Sequence, residues 1–241
     1  MAYDLPMSDP APPSLPPVVT IDGPAGTGKS SVARELASRL GFRFLDTGAM
    51  YRAVAFLCLD RGHRSDDSGE AAAAAAHVSL DEAGALCVDG QPAGDQLRTP
   101  DVTQTASVVA QHAAVRERLV PLQRRFGELL PTVTEGRDQG TVVFPDAAVK
   151  FFLDATAEER AKRRQTELAA IGTPVELSEL IGQIESRDAR DRSRTVAPLR
   201  PADDAIVVDT TSLSLAEVVD RLETDARRRI GIGQAADSGH E

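Results

Sequence analysis

Short runs of β-branched and other apolar residues alternate along the chain with longer segments whose apolar residues recur every three or four positions. Five runs predict strands: VVTID (18–22), FRFLD (42–46), TVTEG (132–136), VKFFLD (149–154) and AIVVDT (205–210). Most are apolar on both faces, which is typical of buried parallel strands. The intervening periodicity predicts helices over 29–40, 49–60, 101–112, 114–130, 157–170, 176–194 and 214–229. We therefore expect an α/β fold in which a five-stranded parallel sheet is flanked by helices on both faces.

Residues 61–100 interrupt this alternation. An Ala-rich run at 71–76 predicts a helix, and Asp89-Gly90 predicts a hairpin turn between two short strands. This segment is interpreted as a small inserted lobe. The Pro-rich, acidic residues 1–17 predict a disordered leader, and 231–241 a disordered tail, around one domain over 18–230.

The bulk charge limits the classes of partner. The 241 residues carry a formal net charge of −10, with a pI near 5.0. General binders of nucleic acid or anionic membranes need a basic surface, so we expect neither partner, and any anion site must be a local arrangement of charge. The two cysteines form no CxxC motif, the histidines show no metal-ligand spacing, and neither a signal peptide nor a membrane-length apolar run is found. A cytoplasmic location is expected.

The sequence GPAGTGKS at 23–30 matches the phosphate-loop pattern G-x-x-x-x-G-K-[ST]. A strand precedes it and an amphipathic helix follows, which favours nucleotide binding over a plain Gly-rich turn. The glycines let successive backbone N–H groups surround a phosphate at the positive end of the helix. Lys29 would bridge the β- and γ-phosphates of ATP, and Ser30 would ligate Mg²⁺. The predicted nucleotide-binding residues are Gly23, Pro24, Ala25, Gly26, Thr27, Gly28, Lys29, Ser30 and Ser31.

The phosphate loop alone does not distinguish kinases from switches or motors. Guanine-nucleotide switches read their base with N/T-K-x-D, and none of the three lysines lies in such a motif. A small-molecule kinase therefore fits better than a switch.

Two further motifs follow predicted strands, where α/β folds bind ligands. In DTGAMYRAV (46–54), Tyr51 and Arg52 lie off the apolar stripe of a helix, so they face either solvent or the cleft edge. In EGRDQGTVVFP (135–145), Arg137 and Asp138 form either a turn held by an internal ion pair or a functional pair. In the second case Arg137 binds phosphate and Asp138 reads a base or helps to hold Mg²⁺.

The segment RDARDRSR (187–194) prolongs an apolar helical stripe. That stripe consists of Leu177, Leu180, Ile181 and Ile184, and its continuation is Arg187, Asp188, Asp191 and Arg194. These charged side chains should therefore point into the cleft, whereas Arg192 should lie on the surface. Upstream, EERAKRR (158–164) could combine with Arg190 to form a cationic lid over phosphates, through Arg160, Arg163 and Arg164. The alternative is an exposed helix laced by salt bridges.

Taken together and in order, these motifs resemble the bacterial cytidylate kinases, a family of nucleoside monophosphate kinases. The resemblance spans roughly residues 18–225 and includes IDGPAGTGKS, LDTGAMYRAV, EGRDQGTVVFPDA and RDARDRSRTVAPLRPADDAIVVDTT. It implies an ATP- and Mg²⁺-dependent kinase that converts CMP and dCMP to CDP and dCDP, expected to be monomeric. Two alternatives remain open: a kinase for UMP, AMP or a small metabolite, and a non-catalytic nucleotide-binding regulator.

The resemblance also implies roles for individual residues. Ser107, Arg116 and Asp138 would contact cytosine, with Thr47 and Tyr51 nearby. Arg52, Arg137 and Arg194 would hold the acceptor phosphate, and Arg187 and Asp191 the ribose. Arg160 and Arg164 would bind the donor. The catalytic set is predicted as Lys29, Arg137, Asp138, Arg190 and Arg194. Gln139 is a departure, because the family commonly has an apolar residue there, and Thr47 stands where serine is also common.

Overall fold

The computed structural model describes residues 15–233 except Glu82 and Ile171. Its strands are β1 (Val18–Asp22), β2 (Arg43–Asp46), β3 (Val78–Leu80), β4 (Leu86–Val88), β5 (Gln91–Pro92), β6 (Thr132–Gly136), β7 (Val149–Asp154) and β8 (Ile206–Asp209). Its α-helices are α1 (Lys29–Leu40), α2 (Thr47–Asp60), α3 (Ser68–Ala75), α4 (Pro100–Val109), α5 (Ala113–Leu129), α6 (Ala157–Ala170), α7 (Leu177–Ser193) and α8 (Leu215–Ile230). A 3₁₀ turn spans Asp95–Arg98 and a π-helical turn spans Gln139–Val143.

Within these residues, five parallel strands form the central sheet in the order β2-β6-β1-β7-β8. The predicted fold class is confirmed. The register aligns Asp22 with Gly136 and Asp46 with Glu135. The carboxyl ends of β1, β2 and β6 therefore meet at one edge of the sheet, and this edge carries the candidate site.

The two faces of the sheet differ in chemistry. One face packs against α1 and α8 through Val19, Ile21, Phe151, Leu153 and Val208. The opposite face is equally buried, but it carries polar side chains: Thr20, Asp22, Thr132, Thr134 and Lys150. The expectation of strands apolar on both faces was therefore wrong for this face. The reason is that neighbouring loops and the π-helical turn cover this face and supply hydrogen-bond partners for all of these side chains except Thr20.

The segment from 61 to 100 forms α3 and an antiparallel sheet of β3, β4 and β5. Asp89 and Gly90 have φ values of 51° and 75°, as the predicted tight hairpin turn requires. The Ala-rich run forms α3, and its buried alanines share one hydrophobic core with α2, α4 and α5. The lobe is thus packed against α2, the helix that carries Tyr51 and Arg52.

Helices α6 and α7 pack together around a small core of Ala161, Leu168, Leu180 and Ile184. No helix in the described segments is long and apolar enough to cross a membrane. At the amino end, the Pro17 carbonyl accepts a hydrogen bond from Thr132 N at 3.1 Å. Most of the predicted leader and tail, residues 1–14 and 234–241, lies outside the described residues, and the domain boundaries stay a prediction.

Candidate active site

The phosphate loop between β1 and α1 depends on its glycines. Gly23, Gly26 and Gly28 have φ values of 145°, 81° and 81°. A Cβ at Gly23 would lie 2.0 Å from the Leu153 carbonyl oxygen, so no other residue fits there without displacing β7. The loop is therefore anchored against the neighbouring strand, and its backbone leads directly into the amino terminus of α1.

Lys29 is the buried cation of this loop. Its Nζ donates to the Pro24 carbonyl oxygen at 2.6 Å and approaches the Thr27 hydroxyl at 3.4 Å. Burial lowers the pKa of Lys29 to about 7, and the nearby positive charges of Arg137 and Arg187 act in the same direction. This ammonium group lies where an anionic partner would stabilise its charged form. Ser31, also predicted to bind the nucleotide, is exposed at the start of α1.

Glu135 is a site residue that the sequence reasoning did not assign. It lies at the end of β6, and its carboxylate Oε1 accepts a hydrogen bond from the Ser30 hydroxyl at 2.5 Å. Burial, and next the charge of Asp46, raise the pKa of Glu135. A hydroxyl and a carboxylate in contact fit Mg²⁺, which takes oxygen ligands and keeps several water and phosphate oxygens in its shell. No cluster of three or more His, Cys, Asp or Glu able to hold a metal occurs among the described residues.

Asp22, the last residue of β1, was also missed. Its buried carboxylate accepts hydrogen bonds from the backbone N–H groups of Gln139 at 2.9 Å and Gly140 at 2.7 Å. Burial raises the pKa of Asp22 to about 7. The residue therefore joins the strand that enters the phosphate loop to the loop that carries Arg137 and Asp138.

Three residues predicted near the acceptor base are brought together in one buried cluster. Arg116 on α5 donates to the Asp138 carboxylate and, through Nη1, to the Tyr51 hydroxyl at 3.1 Å. Burial raises the pKa of Tyr51 to about 12. Ser107 is buried on α4 and donates to the Gln104 carbonyl at 2.8 Å, while Thr47 donates to the Glu135 carbonyl at 2.6 Å.

Asp191 joins two of the predicted phosphate-binding arginines. Its carboxylate, 1% exposed, accepts from Arg137 Nε at 3.0 Å and from Arg194. Burial alone would raise the pKa of Asp191, but the adjacent guanidinium groups lower it. Burial, followed by the repulsion of Arg137, lowers the pKa of Arg187 to about 10. The prediction that this stripe of α7 faces inward is confirmed, and Arg192 is exposed as expected.

Arg137 and Asp138 do not pair with each other. Arg137 pairs with Asp191 on α7, whereas Asp138 pairs with Arg116 on α5, so the alternative of a turn held by an internal ion pair is wrong. Arg137 therefore connects the loop after β6 to α7, and Asp138 connects the same loop to α5.

Several guanidinium nitrogens are left for other partners. Within the described residues, the Nε atoms of Arg52, Arg187 and Arg194 are buried and have no hydrogen-bond partner. Arg52 uses its Nη2 to reach Asp46 at 3.1 Å. Buried unsatisfied donors are costly, and these atoms are available to donate to a ligand.

The lid arginines do not assemble as predicted. Arg160 is buried, and its donors reach the carbonyls of Ala155 and Ala25, each at 3.0 Å, and the Asp188 carboxylate at 2.7 Å. It therefore fastens α7 to the phosphate loop through Nε and Nη1, and its donor-binding role stays a prediction.

The other members of that set lie elsewhere. Arg163 donates to the Thr210 carbonyl at 2.6 Å, and Arg164 pairs with Glu167 at 2.9 Å on the helix surface. Arg190 is exposed, with its Nε 3.4 Å from the Ser186 carbonyl. In this structure the four arginines do not share one face of the cleft, and the donor-binding role of Arg164 and the catalytic role of Arg190 stay predictions.

Gln139, the noted departure from the family pattern, is accommodated by a buried polar chain. Its amide accepts from the Thr134 hydroxyl at 3.0 Å and donates to Gln123 Oε1 at 3.3 Å. A buried amide at this position is thus supported by polar partners on β6 and α5.

Comparison with known proteins adds the family relationship. The family model for cytidylate kinase matches residues 19–228. A cytidylate kinase from Pseudomonas putida (strain W619) is 45% identical over 223 residues, covering 90% of this chain and 98% of that protein. A bifunctional pantoate ligase/cytidylate kinase from Synechococcus sp. (strain JA-3-3Ab) is 49% identical over 214 residues, covering 86% of this chain. The chain spans 40% of that protein's length. Among solved structures, a gluconokinase from Sinorhizobium meliloti 1021 aligns with a TM-score of 0.44 at 18% identity, covering 89% of this chain and 93% of that one.

Proposed function

Because the chain belongs to the cytidylate kinase family, we propose that it transfers the γ-phosphoryl group of ATP to CMP and dCMP, producing CDP and dCDP in pyrimidine nucleotide metabolism. The observation that carries this proposal is the proximity of two cationic sites at one edge of the sheet. Asp22 at the end of β1 is aligned with Gly136 at the end of β6, so Arg137 and the phosphate loop that carries Lys29 begin side by side. Phosphoryl transfer requires two anionic groups to be aligned with their charge neutralised, which adjacent cationic sites provide.

The donor phosphates would lie on the backbone of the phosphate loop. Lys29 Nζ would exchange the Pro24 carbonyl for phosphate oxygens, and the ligand's charge would favour its protonated form. Ser30 and Glu135 would hold Mg²⁺, which neutralises phosphate charge when bound.

The acceptor phosphate would bind Arg52, Arg137 and Arg194. The buried Nε atoms of Arg52 and Arg194 offer donors, and a guanidinium group can bind phosphate through two parallel hydrogen bonds. Asp191 orients Arg137 and Arg194 before the ligand arrives. The ribose would lie against Arg187 and Asp191.

The base would be read by the buried Asp138 and its neighbours. The N4 amino group of cytosine can donate hydrogen bonds to Asp138 and Ser107, and the ring edge of cytosine can accept a hydrogen bond from Arg116. Uracil places a carbonyl oxygen where the amino group would be, against the Asp138 carboxylate. An unsatisfied buried polar group costs about 1–3 kcal/mol, which is about fivefold to 150-fold in selectivity.

A coupled assay for ADP formation with ATP, Mg²⁺ and each of CMP, dCMP, UMP and AMP tests the proposal. We expect turnover with CMP and dCMP, and little with UMP or AMP. Lys29→Met should abolish turnover while the protein stays folded. Lys162→Met is its matched control, because Lys162 is exposed and, among the described residues, its ammonium group pairs with Glu158 on its own helix. Turnover confined to UMP or AMP would identify another acceptor, and ATP binding without any turnover would favour a regulator.

We further propose that the enzyme is a cytoplasmic monomer that needs neither nucleic acid nor membrane. Size-exclusion chromatography with light scattering tests the oligomeric state: a single species near 25.6 kDa is expected, and a stable dimer would contradict it.

A further inference from the structure

The carboxylate of Asp22 lies beneath the π-helical turn at Gln139–Val143. The first N–H groups of any helical turn lack partners within the turn, so another group must accept their hydrogen bonds. Here Asp22 accepts from both Gln139 and Gly140, at 2.9 and 2.7 Å. The bonded residues are 117 and 118 positions apart in the sequence, so the two hydrogen bonds connect the central strand to a distant turn.

The residue that would ordinarily cap this turn is otherwise engaged. Asp138 precedes the turn, yet in the described structure its side chain makes no capping hydrogen bond. Its carboxylate instead accepts from Arg116 in the candidate base site. Capping by Asp22 therefore leaves Asp138 available to the acceptor without leaving the turn's N–H groups unsatisfied.

The turn also packs tightly on the strand. A Cβ at Gly140 would lie 2.9 Å from the Thr20 hydroxyl and 3.2 Å from the Lys150 side chain, so a larger residue would require these side chains to shift. Burial raises the pKa of Asp22 to about 7, while the two N–H groups and the charge of Lys29 oppose that shift. A buried carboxylate is tolerated only when such partners satisfy it.

We infer that Asp22 is a positioning residue for the acceptor site, holding the loop that carries Arg137 and Asp138 in register with the phosphate loop. This inference rests on the proposed function. The donor loop has separate anchors, because Gly23 packs on Leu153 and Arg160 donates to the Ala25 carbonyl at 3.0 Å. Loss of the Asp22 contacts should therefore impair the acceptor side more than the donor side.

The test is Asp22→Asn, an isosteric change that sets an amide NH₂ group against one of the two backbone N–H groups. Since a displacement of about 1 Å can cost about a hundredfold in rate, we expect kcat/KM for CMP to fall between about ten- and a hundredfold, with ATP affinity changed less than about threefold. Hydrogen exchange should accelerate at residues 137–143. The matched control is Thr20→Val on the same strand face, because the buried Thr20 hydroxyl has no hydrogen-bond partner in the described residues. It should leave all three measurements unchanged.

Equal losses of ATP affinity and acceptor efficiency, or wild-type values for both, would overturn the inference. If Asp22→Asn does not fold, hydrogen exchange on the wild-type protein still decides: the N–H groups of Gln139 and Gly140 should be strongly protected, and fast exchange would overturn the inference. Absence of CMP turnover in the wild-type protein would instead refute the proposed function, so the two failures are distinguishable.

Discussion

Replacing Asp191 with asparagine tests how the arginine cluster is held together. The Asp191 side chain is 1% exposed and accepts from both Arg137 and Arg194, and Arg187 lies beside it. Asparagine keeps the shape but removes the negative charge. The nearby carboxylates of Asp138 and Asp188 pair with Arg116 and Arg160. In Asp191→Asn, the three guanidinium groups would therefore repel one another without a counter-charge between them.

The magnitude follows from burial. Removing one partner of a buried ion pair costs about 3–5 kcal/mol, because the other charge is left uncompensated. The Arg137 side chain is 19% exposed, so it can turn towards water when Asp191 is replaced. We therefore expect the free energy of unfolding to fall by about 3 kcal/mol, the lower end of that range. For a chain of this length each kcal/mol lowers Tm by about 2–4 °C, so a decrease of about 6–12 °C is expected.

Urea unfolding and thermal denaturation provide the assay, with Asp220→Asn as the matched control. Asp220 also accepts from an arginine, Arg39, but its side chain is 65% exposed and Arg39 keeps two glutamate partners. Exposed pairs contribute about 0–1 kcal/mol, so the control should lose less than about 1 kcal/mol. Inorganic phosphate should raise the Tm of Asp191→Asn more than that of the wild type. If both variants lose equally little stability, the carboxylate does not hold the cluster together.

Three further predictions use the same geometry. Because an anionic ligand raises the pKa of Lys29 from about 7, ATP binding at pH 8 should take up a proton and weaken between pH 7 and 9. Calorimetry in two buffers measures this uptake, and the Lys29→Met variant should lose most of it. Arg194→Ala should raise KM for CMP, lower kcat or both, with little change in unfolding stability, because Asp191 keeps its Arg137 partner and the repulsion between Arg194 and Arg137 is removed; a destabilised variant with normal kinetics would contradict this. Gln139→Leu should cost about 1–3 kcal/mol by leaving the Gln123 and Thr134 polar groups unsatisfied, and the double variant with Gln123→Leu should recover part of that loss in urea unfolding.

Patterns within single segments of the sequence correctly predicted the strand and helix on either side of the phosphate loop. The strand 18–22 and the helix 29–40 have the predicted bounds, because hydrophobic periodicity and the glycines between them specify strand, loop and helix within a few residues. The inward direction of Asp188 and Asp191 followed in the same way from the stripe on α7.

Residues whose partners are distant in sequence could not be placed this way. Glu135 meets Ser30 only because β6 pairs with β1 in a particular register. Arg160 belongs to a helix whose sequence is typical of an exposed, charged surface. It is nevertheless buried, because Asp188 on α7 and the Ala25 carbonyl of the phosphate loop supply its partners. Neither relationship has a signature within its own segment.

The pairing of acids with arginines explains how a chain of net charge −10 can hold the two proposed anionic substrates. Arg52, Arg116 and Arg137 each contact a carboxylate that fixes the guanidinium group before any ligand binds. Pre-oriented donors lose less conformational entropy on binding and reorganise less during the reaction. The same carboxylates offset the mutual repulsion of the arginines, so the cluster can form inside an acidic protein. Affinity for phosphate then depends on the guanidinium N–H groups that do not donate to these carboxylates, such as the buried Nε groups of Arg52 and Arg194.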